Sequence, residues 1–230
     1  MNAIPFSNVT INGGFWKAKQ DLVRSTTVQA VYDRFKETHR FEALKCQWKE
    51  GDPDMPHIFW DSDVAKWIEG AAYLLHYQRD AALEALIDEA VDDIVRNSDE
   101  NGYFNSHFLV TDQEKRFQIR DWHELYCAGH LIEGAIAYAN ATGKDKFLKA
   151  MCRYADYIER VFKIEKSAAY ETPGHPELEL ALVKLYRATG EKRYLELSRH
   201  FIDRHGQPDS DRVLGPGWAA ADYNQDSIPL

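Results

Sequence analysis

The chain reads as helix from end to end by its hydrophobic periodicity. Residues 16–39 place Leu22, Val23, Ala30, Val31 and Phe35 on one helical stripe with no Pro or Gly, so a first helix is predicted there. Only VTIN near the start alternates as a short edge strand would, and the Pro-broken KEGDPDMPH reads as a loop. Beyond it the pattern predicts helices at 62–77, 81–96, 122–140, 145–162, 176–188 and 192–205.

These six fall into three pairs. The words AYANATGKDKFLKA and KLYRATGEKRYLEL share Tyr, Ala-Thr-Gly, Lys, an aromatic and Leu, with glycine where a helix stops in the left-handed conformation. The sequence therefore repeats a helical hairpin with unequal linkers. The first helix of each pair is apolar on most sides (GAAYLL, LIEGAIAYA, LELALVKLY), whereas the second carries a single stripe, as Phe147, Met151, Tyr154, Ile158 and Phe162 do. Apolarity all round indicates burial and a stripe indicates an outer layer. An inner ring wrapped by an outer ring is an all-α, α/α toroid. A closed toroid of this type has six hairpins; three hairpins and an N-terminal helix predict about half of the ring, one partial domain over residues 1–230. An open arc exposes inner apolar helices, so self-association through the open half-ring is expected.

Composition narrows the partners. The 230 residues are 44% hydrophobic and 13% aromatic, a globular balance. The net charge of −9, with no Lys/Arg stripe, argues against nucleic acid. The start MNAIPFSNVTINGGFW has no positive n-region followed by an apolar run, and no stretch approaches the ~20 apolar residues of a membrane span, so no membrane partner is expected. Cys46, Cys127 and Cys152 are odd in number, widely spaced and in no CxxC pair, which suits reduced thiols in a cytoplasmic protein rather than disulfides or a metal clamp.

The candidate chemistry lies where the three inner helices begin. If these run parallel, FWDSDVAKW, DWHELY and ETPGHPELE bring Asp61, Asp63, His123 and His175 to one mouth, and NGYFNSHF adds Tyr103, Asn105 and His107. Each has a plainer reading. Asp61, Ser62 and Asp63 suit an N-cap, Asp121 with Glu124 has capping-box spacing, and Pro176 suits a first helical turn. Trp60, Trp67 and Tyr103 either stack a sugar or fill the core. His123 and His130 are seven residues apart, hence within about 20° on one helical face; His123 reads as a pocket residue and His130 as its packed neighbour. Cys127 follows His123-Glu124 where HExxH would place its second histidine, so a zincin site is not indicated.

The words FWDSDVAKWIEGAAYLL, NGYFNSHF, HELYCAGHLIEGAIAY, GHPELELALVKLYRATGEKRYLELSRHFID and the terminal ADYNQDSIPL resemble the N-terminal half of glycoside hydrolase family 127, the β-L-arabinofuranosidases. The resemblance implies an (α/α)6 catalytic barrel followed by β-sandwich domains, and retaining hydrolysis of arabinofuranosides. It implies sugar contacts for His123 and His175. It also implies a zinc-held cysteine nucleophile and a separate acid/base glutamate, both in the second half of the barrel, beyond this chain. The three cysteines here fall outside those motifs. The expectation is thus a fragment of a carbohydrate-binding glycosidase, with His123, His175, Asp61, Asp63 and Tyr103 as substrate-binding candidates, no catalytic residue, no metal ligand, and zinc only in the full-length enzyme. The rival reading is a non-catalytic helical module that binds a sugar or a protein.

Overall fold

The computed structural model describes residues 4–205. Among them every regular element is helical, and VTIN is coil rather than strand. Helix α1 (Gly14–Leu22) runs through a π turn at Val23–Thr27 into α2 (Val28–Glu37), so the predicted first helix is present but widened in the middle. A short α3 (Arg40–Ala43) follows. Three hairpins then form: α4 (Trp60–Tyr77) with α5 (Ala81–Asn97), α7 (Glu124–Thr142) with α8 (Lys146–Glu159), and α9 (Leu178–Thr189) with α10 (Lys192–Arg204); a short α6 (Ser106–Val110) lies in the loop before α7.

Helix α7 packs between α4 and α9, while α5, α8 and α10 lie behind their partners. The start of α4 faces the start of α7 through the rings of Phe59 and His123, 5.7 Å apart, and Lys184 on α9 reaches Glu69 and Glu133 further along. The inner helices are therefore parallel. Their closeness depends on small residues. A Cβ on Gly134 would lie 3.0 Å from the Ala65 carbonyl, and one on Gly129 would lie 2.7 Å from Glu177 Cγ. The two Thr-Gly turns share one bonding pattern. Gly143 and Gly190 have φ near 77° and donate to the Ala139 and Tyr186 carbonyls, and Thr142 and Thr189 each accept from the amide two residues on.

At the other end of the inner helices, Phe6 packs on Tyr73 and His76 at 4.8 and 5.0 Å, beside a cleft of about 720 Å³ that Ile136, Lys184 and Arg187 also line. No helix among the described residues is long and apolar enough to cross a membrane.

Helix starts differ from the sequence expectation. Helix α4 begins after Phe59 with no side-chain cap, so Asp61 and Ser62 lie inside it. Helix α7 begins after His123 in the left-handed region, φ 64°, and Asp121 and Glu124 form no capping box. Helix α9 begins at Leu178, two residues later than predicted. Long-range contacts explain the first two cases: the carboxylates of Asp61 and Glu124 are drawn to other segments.

Candidate functional site

The mouth is built on loops that precede the inner helices. Glu124 fixes the loop before α7: its carboxylate accepts from the Phe117 amide at 2.7 Å and from the Tyr103 hydroxyl at 2.6 Å. Burial pushes this carboxyl up to about 7. Immediately before it, His123 takes its positive φ, a conformation that costs a non-glycine residue energy and persists only where surroundings hold it. His175 arrives on the loop before α9, and its carbonyl accepts from the Glu177 amide at 2.8 Å. The two imidazoles stand 5.0 Å apart, centre to centre. Tyr126 packs on both, at 5.7 and 5.3 Å, and its hydroxyl accepts from Lys66 of α4 at 2.8 Å.

Burial, followed by the nearby His175, lowers the His123 pKa below the ordinary imidazole value. The ring is therefore neutral at pH 7, with one donor and one acceptor nitrogen. Its Nδ1 is buried without a hydrogen-bond partner. His57, lowered chiefly by burial, packs on Phe59 at 4.1 Å, and Phe59 on His123, so a third imidazole stands near the same mouth.

The sequence candidates separate here. His123 and His175 come together. Asp61 is buried, with Oδ2 accepting from the Ser106 amide at 2.8 Å; burial raises its pKa to about 6. It anchors the start of α6. Asp63 is held by Arg40 Nε at 2.8 Å, and Arg40 lies over the Trp60 ring. Tyr103 is fully buried with its hydroxyl on Glu124, which corrects its placement at the rim. Asn105 caps α6 through the Phe108 amide, and buried His107 donates from Nδ1 to the Pro56 carbonyl at 2.7 Å. Trp67 is a core residue that donates to the Val28 carbonyl.

His130 is also corrected. Its ring packs on Tyr126 at 4.6 Å, and its Nδ1 faces Glu177 Oε1 at 3.3 Å and Glu133 Oε2 at 3.5 Å. Lys184 holds the other oxygen of Glu133 and lies 3.9 Å from Glu69, which accepts from the Tyr73 hydroxyl. A polar seam thus descends from the mouth between the inner helices. Sequence reasoning missed Tyr126, Glu133, Glu177 and Lys184. The available signal was positional: His123, Tyr126, His130 and Glu133 recur at helical spacing along an otherwise apolar α7, as Lys66, Glu69 and Tyr73 do on α4.

The cysteines do not fit a zinc-held nucleophile. Burial pushes Cys46 up to about 12 and raises Cys127 and Cys152 as well. Among the described residues, no group of three metal-ligating side chains includes a cysteine.

An arc of inner and outer helices with paired histidines at the inner-helix starts defines part of an α/α-toroid protein with a polar mouth. The model of the GH127 β-L-arabinofuranosidase catalytic domain matches residues 8–230. The chain is similar to the non-reducing end β-L-arabinofuranosidase of Bifidobacterium longum subsp. longum, 36% identical over 87% of this chain and 34% of that protein. Among solved structures, Ara127N-Se, a GH127 β-L-arabinofuranosidase from Geobacillus stearothermophilus T6, aligns with TM-score 0.82 and 39% identity over 96% of this chain and 35% of that one. The GH127 β-arabinofuranosidase BT3674 aligns with TM-score 0.80 and 31% identity over 88% and 34%. The chain belongs to the GH127 β-L-arabinofuranosidase family by its catalytic domain. It spans about a third of the length of these relatives.

Proposed function

We propose that this chain supplies part of the sugar-binding wall of a retaining glycoside hydrolase acting on β-L-arabinofuranosides, with His123 and His175 as paired ligands to sugar hydroxyls. The observation that carries this reading is the 5.0 Å separation of the two imidazoles at the common mouth of the inner helices. A neutral imidazole such as His123 both donates to and accepts from hydroxyls. Tyr126 and Phe59 beside them offer ring faces to the apolar side of a sugar. Asp61, Asp63 and Tyr103 support the wall from behind.

Retaining hydrolysis needs a nucleophile and an acid/base on either side of the scissile bond. No cysteine of this chain takes the nucleophile's role in this reading, so the 230 residues bind without turning over. Calorimetry of the chain with methyl β-L-arabinofuranoside, and an assay with p-nitrophenyl β-L-arabinofuranoside, test it. The expected result is saturable binding and no release of p-nitrophenol above background. His123→Ala and His175→Ala should each weaken binding by about 1–3 kcal/mol, the cost of removing one partner of a shielded hydrogen bond. Binding unchanged in both variants, or turnover that disappears in Cys127→Ser, would refute it.

A second reading, association with another helical surface, is favoured by the exposed aromatic rings of Phe15 and Trp16 on α1.

A further inference from the structure

Below the histidine pair, three side chains from two inner-helix segments meet. His130 and Glu133 are three residues apart on α7 and so share a face; Glu177 enters from the residue before α9. Their ligand atoms all lie within 4.8 Å of one another. His130 Nδ1 and Glu177 Oε1 are both shielded from solvent and neither has a hydrogen-bond partner, although they face each other at 3.3 Å. Buried polar atoms of native proteins are rarely left so. The spacing matches a different kind of bond. A tetrahedral ion with bonds of about 2.0–2.2 Å to nitrogen and oxygen sets its ligand atoms roughly 3.3–3.6 Å apart. The imidazole nitrogen lies 3.3 and 3.5 Å from its two carboxylate oxygens.

We propose that His130 Nδ1, Glu133 Oε2 and Glu177 Oε1 form a binding site for a divalent transition-metal ion of the Zn2+ class. An imidazole with two carboxylates suits such an ion better than Ca2+ or Mg2+, which take oxygen ligands. Lys184 does not compete for the ligand atom, because it is bound to Glu133 Oε1 while Oε2 faces His130. It acts as an outer partner that orients the carboxylate, as metal-binding carboxylates generally require. The charge balance also leaves room for a cation. Glu69, Glu133 and Glu177 gather around the single ammonium of Lys184. Three protein ligands leave a fourth position for water or a hydroxyl.

The test is a titration of the chelator-treated full chain with Zn2+, Mn2+ and Ca2+ by calorimetry at pH 7. The expected result is one equivalent of Zn2+ bound, Ca2+ bound at least tenfold more weakly, and a loss of tenfold or more in Zn2+ affinity in Glu177→Gln and in His130→Ala. Circular dichroism verifies that both variants fold. Co2+ substitution of the unaltered chain gives a readout that needs no variant: intense visible absorption of a four-coordinate site. The adjacent imidazoles at the mouth are the alternative zinc ligands, so His123→Ala is included and should leave the affinity unchanged. Zinc affinity that follows His123→Ala but not Glu177→Gln or His130→Ala, or no stoichiometric binding of Zn2+, would overturn the proposal. These outcomes are independent of sugar binding at the mouth.

Discussion

Glu124 shows how one side chain sets the geometry of the site. It is fully buried, its two carboxylate oxygens each hold a donor from a distant segment, and the next residue back is His123. Truncation by Glu124→Ala should cost about 2–4 kcal/mol in urea unfolding, since two buried donors lose their acceptor and a cavity remains. Its titration gives a signed expectation. The folded value of about 7 lies above the ordinary 4.5, so between these values the folded state holds a proton that the unfolded state has lost. The stability this contributes is fully present below about 4.5 and lost as pH rises through about 7. The stability of the native chain relative to Glu124→Gln should therefore decline from pH 4.5 to 7.5; a relative stability that rises over that range would contradict the assigned shift. Neither this role nor that of Tyr103 was legible in the sequence, where Glu124 read as a capping-box acid and Tyr103 as a rim aromatic. Capping is a local pattern, and the bond that overrides it joins residues 21 apart.

At the scale of elements, helix existence, pairing and the starts of the outer helices were legible, and the starts of the inner helices were not. Apolar periodicity marks α4, α5, α7, α8, α9 and α10 because each buries a face, and the repeated Thr-Gly turns give the ends of α7 and α9. The starts shifted where loop residues answer to partners in other loops. The polar seam was hidden for a related reason. His130 looked like a core residue because its neighbours in sequence are apolar, while Glu177, one of the two acids it faces, comes from another segment. Close contact of the inner helices makes a clear test. Gly129→Ala puts a methyl group 2.7 Å from Glu177 Cγ and 3.1 Å from the Leu178 amide, so it should destabilise by about 1–3 kcal/mol. Gly70→Ala on α4 meets nothing within 4 Å and should stabilise by up to about 1 kcal/mol through helix propensity. Equal unfolding midpoints for the two variants would contradict the packing of α9 against α7.

For the molecule as a whole, the toroid arc was legible from the alternation of apolar and amphipathic helices, and the family words pointed to the same fold. Association was expected through the open half-ring; the structure offers another exposed surface, Phe15 and Trp16 on α1, 65% and 69% exposed. Sedimentation velocity from 1 to 100 μM should show a weight-average coefficient that rises with concentration, and Phe15→Glu with Trp16→Glu should flatten it; a constant monomer value in the unaltered chain would remove α1 as an interface. The central claim concerns the mouth. Its most direct test is an NMR titration of the imidazole signals of the full chain with methyl β-L-arabinofuranoside at pH 7. Saturable shifts confined to His123, His175 and their neighbour His57, with His39 and His200 unmoved, are the predicted result. No shift at His123 and His175, or equal shifts at all nine histidines, would contradict it.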